Sequence, residues 1–304
     1  MLSREMNSRP PFWRVWLLAA RPKTLPAAIV PVLVGSAFAV RAGVFQWIPA
    51  LLCLGFALLV QIGTNYANDY FDFLKGADTA ARVGPARAVA AGWVSPAAMR
   101  GAMALVFAVA FGVGLGLIRY GGWGLLPVGV VSILCGIAYT GGPYPLGYHG
   151  LGDVFVFLFF GLVAVGATFW VQARGLTPEV LLAAAAIGLL AANILVANNY
   201  RDRATDGLAG KRTLVVRFGE RAGRWQYNGS VAASLAVPLI LWSRGFGTWV
   251  LLPLAAAPLG FWCGASLRPD APPAALIRLL ALTAAYLALY GVLLATGVAL
   301  GAAR

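Results

Sequence analysis

Asn65-Tyr66-Ala67-Asn68-Asp69-Tyr70-Phe71-Asp72-Phe73-Leu74-Lys75-Gly76-Ala77-Asp78 closes a long apolar run. It gathers Asp69, Asp72 and Asp78 in a chain of 304 residues that holds only ten Asp and Glu. On a helix Asp69 and Asp72 (i, i+3) share a face. A second stretch, Asn198-Asn199-Tyr200-Arg201-Asp202-Arg203-Ala204-Thr205-Asp206, puts Asp202 and Asp206 (i, i+4) on one face in the same way. Carboxylates held close together repel each other unless a cation lies between them. Oxygen-only ligands suit Mg²⁺, which takes one or two carboxylates and completes its shell with water and substrate phosphates. The pattern predicts a Mg²⁺–diphosphate site where apolar runs meet water.

The rest of the chain says what those runs are. Hydrophobic residues make up 61% of it, charged residues 11%, and the mean hydropathy is +0.81. A soluble domain is about 45–50% apolar and about 25% charged. The expected class is an all-α integral membrane protein, because lipid cannot satisfy free backbone groups and the runs are too long for barrel strands. The net charge of +13 is read as loop charge that orients the chain in a bilayer, with no nucleic-acid partner. Cys53, Cys135 and Cys263 lie inside apolar runs without disulfide or metal-ligand spacing. No cleavable signal peptide is expected.

Residues 1–23 form a basic arm in which Trp13 and Trp16 mark an interfacial piece. Runs of spanning length, about 20 residues each, follow near 24–41, 46–66, 99–118, 122–140, 152–173, 179–199, 226–243, 247–266 and 275–298. The expectation is nine transmembrane helices with a cytoplasmic N-terminus, forming one membrane domain over 1–304. Of the 23 Lys and Arg, only Arg41, Arg119, Arg174, Arg244 and Arg304 then fall on the far side, as the positive-inside rule requires. Both aspartate stretches fall on the cytoplasmic side, in active-site loops 67–98 and 200–225. These loops follow the second and sixth spans, which hints at a duplicated four-helix unit.

Asn65 and Asn68 can donate to phosphate oxygens. Gly76 is placed to end the first motif's helix. Arg82 and Lys211 are expected to bind phosphate, since a diphosphate leaving group needs positive charge nearby. The other loop arginines, Arg87 among them, read as topology signals. Tyr139-Thr140-Gly141-Gly142-Pro143-Tyr144-Pro145-Leu146-Gly147-Tyr148-His149-Gly150 is a rigid, aromatic, uncharged loop that could line an acceptor pocket. The lone His149 reads as a hydrogen-bonding loop residue. Asp153 suits a helix start as well as a site. Arg21-Pro22-Lys23-Thr24 reads mainly as an anchor before the first span.

These motifs resemble the UbiA superfamily of intramembrane aromatic prenyltransferases. Asn68, Asp69 and Asp72 match its first motif, Asn-Asp-x-x-Asp-x-x-x-Asp, with Gly76 in place of the last Asp and Asp78 two residues on. Asp202 and Asp206 match its second. Lys75-Gly76-x-Asp78, Arg82-Val83-Gly84-Pro85, Tyr139-Thr140-Gly141-Gly142-Pro143 and Asn198-Asn199-x-Arg201-Asp202 are similar to the branch that prenylates 1,4-dihydroxy-2-naphthoate in menaquinone synthesis. The resemblance implies a UbiA-type bundle of nine helices. It implies two Mg²⁺ held by Asp69, Asp72, Asp78, Asp202 and Asp206 against a long-chain prenyl diphosphate. It also implies substrate contacts from Asn65, Asn68, Lys75, Arg82, Tyr139, Asn198, Arg201 and Lys211. Tyr139, Tyr144, Tyr200 and Lys75 all stay open as proton acceptors. The expected reaction releases diphosphate and CO₂ and gives demethylmenaquinone in a prokaryotic plasma membrane. Rival acceptors are 4-hydroxybenzoate and homogentisate. A cation transporter would put acids mid-span, and none of the aspartates falls there.

Overall fold

A chain this apolar has to close its hydrogen bonds within each segment, and among the described residues it forms helices and turns without a strand. The computed structural model describes residues 10–78 and 84–301. A short helix α1 (Phe12–Ala20) is followed by a 3-10 turn and α2 (Pro26–Arg41), the pair being bent by 53°. Then come α3 (Trp47–Leu74), α4 (Pro96–Gly121), α5 (Leu125–Ala138) and α6 (Gly152–Ala173). The chain continues through α7 (Pro178–Leu208), α8 (Leu214–Ser243), α9 (Thr248–Ala265) and α10 (Pro273–Leu300). Pro26, Pro96, Pro178 and Pro273 stand at the starts of their helices, where no intrahelical N–H is lost. Ser95, Thr177 and Thr213 cap α4, α7 and α8 through side-chain oxygens.

Each expected span finds a helical segment, but the lengths differ. Six helices are long and apolar enough to cross a bilayer, or seven if the bent α1–α2 pair counts as one. The expected span 122–140 is represented by α5, only 14 residues long. The range 226–243 is the C-terminal part of α8, which starts at Leu214 and is interrupted at Gly219 (φ 82°). The ranges 67–98 and 200–225 are not simply loops: α3 runs on to Leu74, α7 runs on to Leu208, and α8 begins before 225. Charged residues end a hydropathy window without ending the backbone hydrogen bonding of the helix beneath it.

The core centres on α7. Its apolar window is 72% buried, against 22% for α4, so α7 is the inner helix and α4 turns Leu105, Val109 and Leu115 outward. The α7 helix packs on α8, α10 and α6, and α3 packs on α4. The chain is thus a multi-pass membrane protein with an apolar outer surface. Arg41, Arg119, Arg174 and Arg244 collect at the end away from the aspartates. There Arg174 Nη2 donates to the Arg119 carbonyl (3.2 Å), Arg41 Nη2 to the Gly245 carbonyl (3.5 Å), and Arg244 pairs with Glu179 (2.8 Å).

One stretch of α6, Phe157–Val163, is a π-helix. Such wide turns often mark functional sites. Here it packs on α7 through two glycines: a Cβ at Gly161 would lie 2.5 Å from the Ala184 carbonyl oxygen and 2.7 Å from Gly188 Cα. Gly161→Val or Gly188→Leu should push the helices apart, at about 1–3 kcal/mol for overpacking. The expected readout is a clearly lowered Tm of the detergent-purified protein; an unchanged Tm would show that the contact is dispensable.

Candidate active site

Both aspartate motifs ride on the last turns of long helices, α3 and α7, and both helices stop in the same way. Gly76 (φ 66°) lets the Ala77 N–H reach back to the Asp72 carbonyl at 3.0 Å. Gly210 (φ 73°) lets the Lys211 N–H reach the Asp206 carbonyl at 2.8 Å. A left-handed residue followed by a six-to-one bond is a Schellman ending, which favours glycine. Gly76 therefore takes up the position at which the usual first motif carries its last aspartate.

The first motif is buried on one face of α3. Asn65, Asn68, Asp69 and Asp72 are all inaccessible or nearly so. Asp69 accepts from the backbone N–H groups of Ala88 (3.0 Å) and Val89 (3.2 Å), which folds residues 84–94 over the helix end. Asp72 accepts from the Tyr148 hydroxyl at 2.8 Å and lies 3.4 Å from Arg87 Nη2 and 4.0 Å from Lys211 Nζ. Asp78 pairs with Arg87 Nε at 3.4 Å. Asn68 Oδ1 accepts from the Thr140 hydroxyl (2.9 Å), and Lys75 donates to the Thr140 carbonyl (2.5 Å), so the two tie the Gly- and Pro-rich loop to α3. Burial lowers the Lys75 pKa below the ordinary lysine range; the Asp72 charge opposes this and Lys211 adds to it. Burial, then the charge of Asp72, pushes the Tyr148 phenol well up.

The second motif faces the first across the bundle. Arg201 grips its neighbour Asp202 with Nε (2.7 Å) and Nη2 (2.5 Å), and Nη2 also donates to Asn198 Oδ1 at 2.9 Å. Lys211 Nζ is 3.8 Å from Asp206 Oδ1, so one ammonium reaches both motifs. Two buried guanidinium nitrogens, Arg87 Nη1 and Arg201 Nη1, have no hydrogen-bond partner. Both arginines line a cavity of about 460 Å³. Its polar end holds Asn68, Asp69, Asp72, Asn198 and Lys211, and its walls become apolar toward Cys53, Phe56, Leu117, Leu125 and Val128. The π-segment contributes Phe159, Phe160 and Val163 to the wall.

Several sequence expectations change here. Asn65 lines the cavity, but both its amide hydrogens are directed to the Ala20 carbonyl (2.9 Å) and the Thr24 hydroxyl (3.2 Å), fixing the bend before α2. Arg21 (φ 53°) lies at that bend and on the cavity wall, so it is more than an anchor. Arg87 had read as a topology signal; it is buried between Asp72 and Asp78. Tyr148 was not singled out, although its ring lies under both Lys75 (4.6 Å) and Lys211 (5.0 Å). Among the possible proton acceptors, Tyr139 lines the cavity, Tyr200 is buried against Leu267 and Glu220, and Tyr144 stacks on His149 at 3.7 Å. His149 has the expected loop role, with Nδ1 2.9 Å from the Pro145 carbonyl oxygen. Asp153 accepts from Gln226 at 2.9 Å. Arg82 lies outside the described residues.

Among the described residues no three His, Cys, Asp or Glu side chains converge to hold a metal unaided. The donors nevertheless fit a hard divalent cation that shares its shell with phosphate. They are all carboxylates, two of them on the cavity wall, and buried cations stand beside them for an anion.

Comparison with known proteins matches this geometry. The chain is 39% identical to the 1,4-dihydroxy-2-naphthoate octaprenyltransferase of Mycobacterium tuberculosis over 83% of its own length and 86% of that protein's. It is 40% identical to the enzyme of the same name from Escherichia coli, over 81% and 82%. Its fold is similar to a UbiA homologue from Archaeoglobus fulgidus solved bound to GPP and Mg²⁺ (TM-score 0.65, 14% identity, 92% of this chain and 99% of that one). It is also similar to the apo structure of a UbiA homologue from Aeropyrum pernix K1 (TM-score 0.66, 17% identity, 88% and 96%). The model of the UbiA prenyltransferase family matches residues 28–282, and the chain belongs to that family.

Proposed function

We propose that this protein transfers a long-chain prenyl group from a prenyl diphosphate to 1,4-dihydroxy-2-naphthoate, with loss of diphosphate and CO₂, on the route to menaquinone. The observation that carries the reading is the cavity that runs from paired aspartate motifs and buried cations into an apolar chamber. One end suits a diphosphate and the other a hydrocarbon tail. The two relatives named for the naphthoate reaction, at 39% and 40% identity, support the acceptor.

In this reading Asp69, Asp72, Asp202 and Asp206, with Asp78 behind them, hold two Mg²⁺. Bound there, the metal supplies Lewis-acid charge to the departing diphosphate. Arg201, Lys211, Lys75 and Arg82 face the diphosphate with Asn68 and Asn198, and stabilise the negative charge that grows as the C1–O bond breaks. The buried wall of the chamber excludes water, which would otherwise capture the allylic cation. The carboxylate-bearing ring carbon of the naphthoate bonds to C1 of the prenyl group, and CO₂ leaves to restore the aromatic ring. Tyr139, on the cavity wall, contacts the acceptor. The chain crosses a prokaryotic plasma membrane nine times with its N-terminus and active site in the cytoplasm, which agrees with the gathering of Arg41, Arg119, Arg174 and Arg244 at the opposite end.

Membranes containing the protein, given radiolabelled prenyl diphosphate and Mg²⁺, should prenylate 1,4-dihydroxy-2-naphthoate and leave 4-hydroxybenzoate and homogentisate unmodified. Product from either of the latter alone would keep the site and overturn the acceptor. Asp202→Asn should lower kcat at least about 100-fold, the scale seen when groups that stabilise transition-state charge are removed, while the purified protein stays monodisperse. Wild-type turnover in that variant would remove Asp202 from the site. Activity should disappear in EDTA and return with excess Mg²⁺; turnover that persists in chelator would count against a metal role.

A further inference from the structure

Each aspartate motif holds a cation supplied by the chain itself. Arg201 clamps Asp202 with two nitrogens. Arg87 lies between Asp72 and Asp78 at 3.4 Å from each. Lys211 spans the gap between the helices, 4.0 Å from Asp72 and 3.8 Å from Asp206. Its place is set by the backbone, because the Schellman ending of α7 bonds the Lys211 N–H to the Asp206 carbonyl. The equivalent position on α3 is Ala77, so this cross-bridge comes from one side only. Arg201 and Arg87 side chains are 1% and 10% exposed, and each keeps one terminal nitrogen, Nη1, without a hydrogen-bond partner. Buried guanidinium hydrogens aimed at a cavity wall call for an acceptor that is not part of the chain.

We propose that Arg87, Arg201 and Lys211 are resident counter-cations of the two aspartate motifs, which they release toward diphosphate when metal arrives, so that divalent metal and diphosphate bind as one coupled unit. The proposal rests on the reading of the site given above and adds Arg87 to its diphosphate contacts. A dication entering alone meets carboxylates already neutralised by nearby positive charge. A diphosphate entering alone must share those cations with the aspartates. Entering together, the dication takes the carboxylates and the anion takes the arginines and lysine, so no buried charge is left uncompensated. Coupling of this kind is reciprocal: each ligand raises the affinity of the other by the same factor.

Calorimetric titration of the detergent-purified full chain tests this with Mg²⁺ alone, inorganic pyrophosphate alone, and each in the presence of the other, corrected for Mg²⁺–pyrophosphate association in solution. The wild-type protein should bind Mg²⁺ at least ten-fold more tightly with pyrophosphate present. Lys211→Met should bind Mg²⁺ alone several-fold more tightly than wild type and lose most of the coupling. Arg87→Gln should do the same to a smaller degree. Mg²⁺ and pyrophosphate that bind the wild type independently would overturn the coupling while leaving the site intact, and this arm needs no variant to fold. Lys211→Met that binds Mg²⁺ alone no better than wild type would remove Lys211 as the counter-cation. No binding of either probe, alone or together, would overturn both this proposal and the diphosphate site beneath it.

Discussion

Negative charge buried at the end of an apolar helix is the constraint on which this structure is arranged. Taking a carboxylate out of water costs several kcal/mol even after the protein relaxes, and Asp69, Asp72, Asp202 and Asp206 are all buried. The chain meets the cost by bending other segments toward them. Residues 84–94 fold back to give Asp69 two amide hydrogens, and the Gly- and Pro-rich loop brings Tyr148 to Asp72. The turn after α7 brings Lys211 within reach of both motifs. The covers of the cavity are therefore held by the same groups that are assigned to its chemistry, and the bundle beneath serves to keep α3 and α7 facing one another.

That arrangement links the site to the bundle through few contacts. Asn65 fixes the bend ahead of α2 by holding Ala20 and Thr24, and Gln61 adds a bond to Thr24 at 3.0 Å. Arg203, next to Asp202, turns the other way and pairs with Glu220 (2.5 Å), tying α7 to α8 outside the cavity. Alternate residues of one short segment thus divide between chemistry and anchoring.

What could be read in the sequence was what depends on short spacing. The i, i+3 and i, i+4 aspartates lie on common helix faces, and Gly76 ends its helix as its place in the motif suggests. Apolar runs marked each helical region. The misses share a different cause. Arg87 and Tyr148 owe their places to loops folding back onto helix ends, and nothing in their immediate neighbours specifies the partner. Asn65 has an amide that can serve a phosphate or a backbone carbonyl equally well, and only the path of the arm decides. The early start of α8 was hidden because its first turns mix Arg217, Glu220 and Arg221 with Leu214, Val215 and Phe218, which lowers an averaged hydropathy without weakening the helix. The π-segment of α6 left no mark at all, since its residues would make an ordinary α-helix equally well.

That segment has a consequence for how the chain can vary in length. Between Phe157 and Val163 each turn holds more residues than an α-helix allows. Removing one residue there and restoring regular winding would rotate everything beyond it by about 100°. Ala167 and Thr168 would leave the cavity wall, and the paired bonds between Gln172 and Gln46 at the far end would be broken. The bundle can absorb many side-chain exchanges along α6, but its two ends are in register only for a fixed number of residues between them.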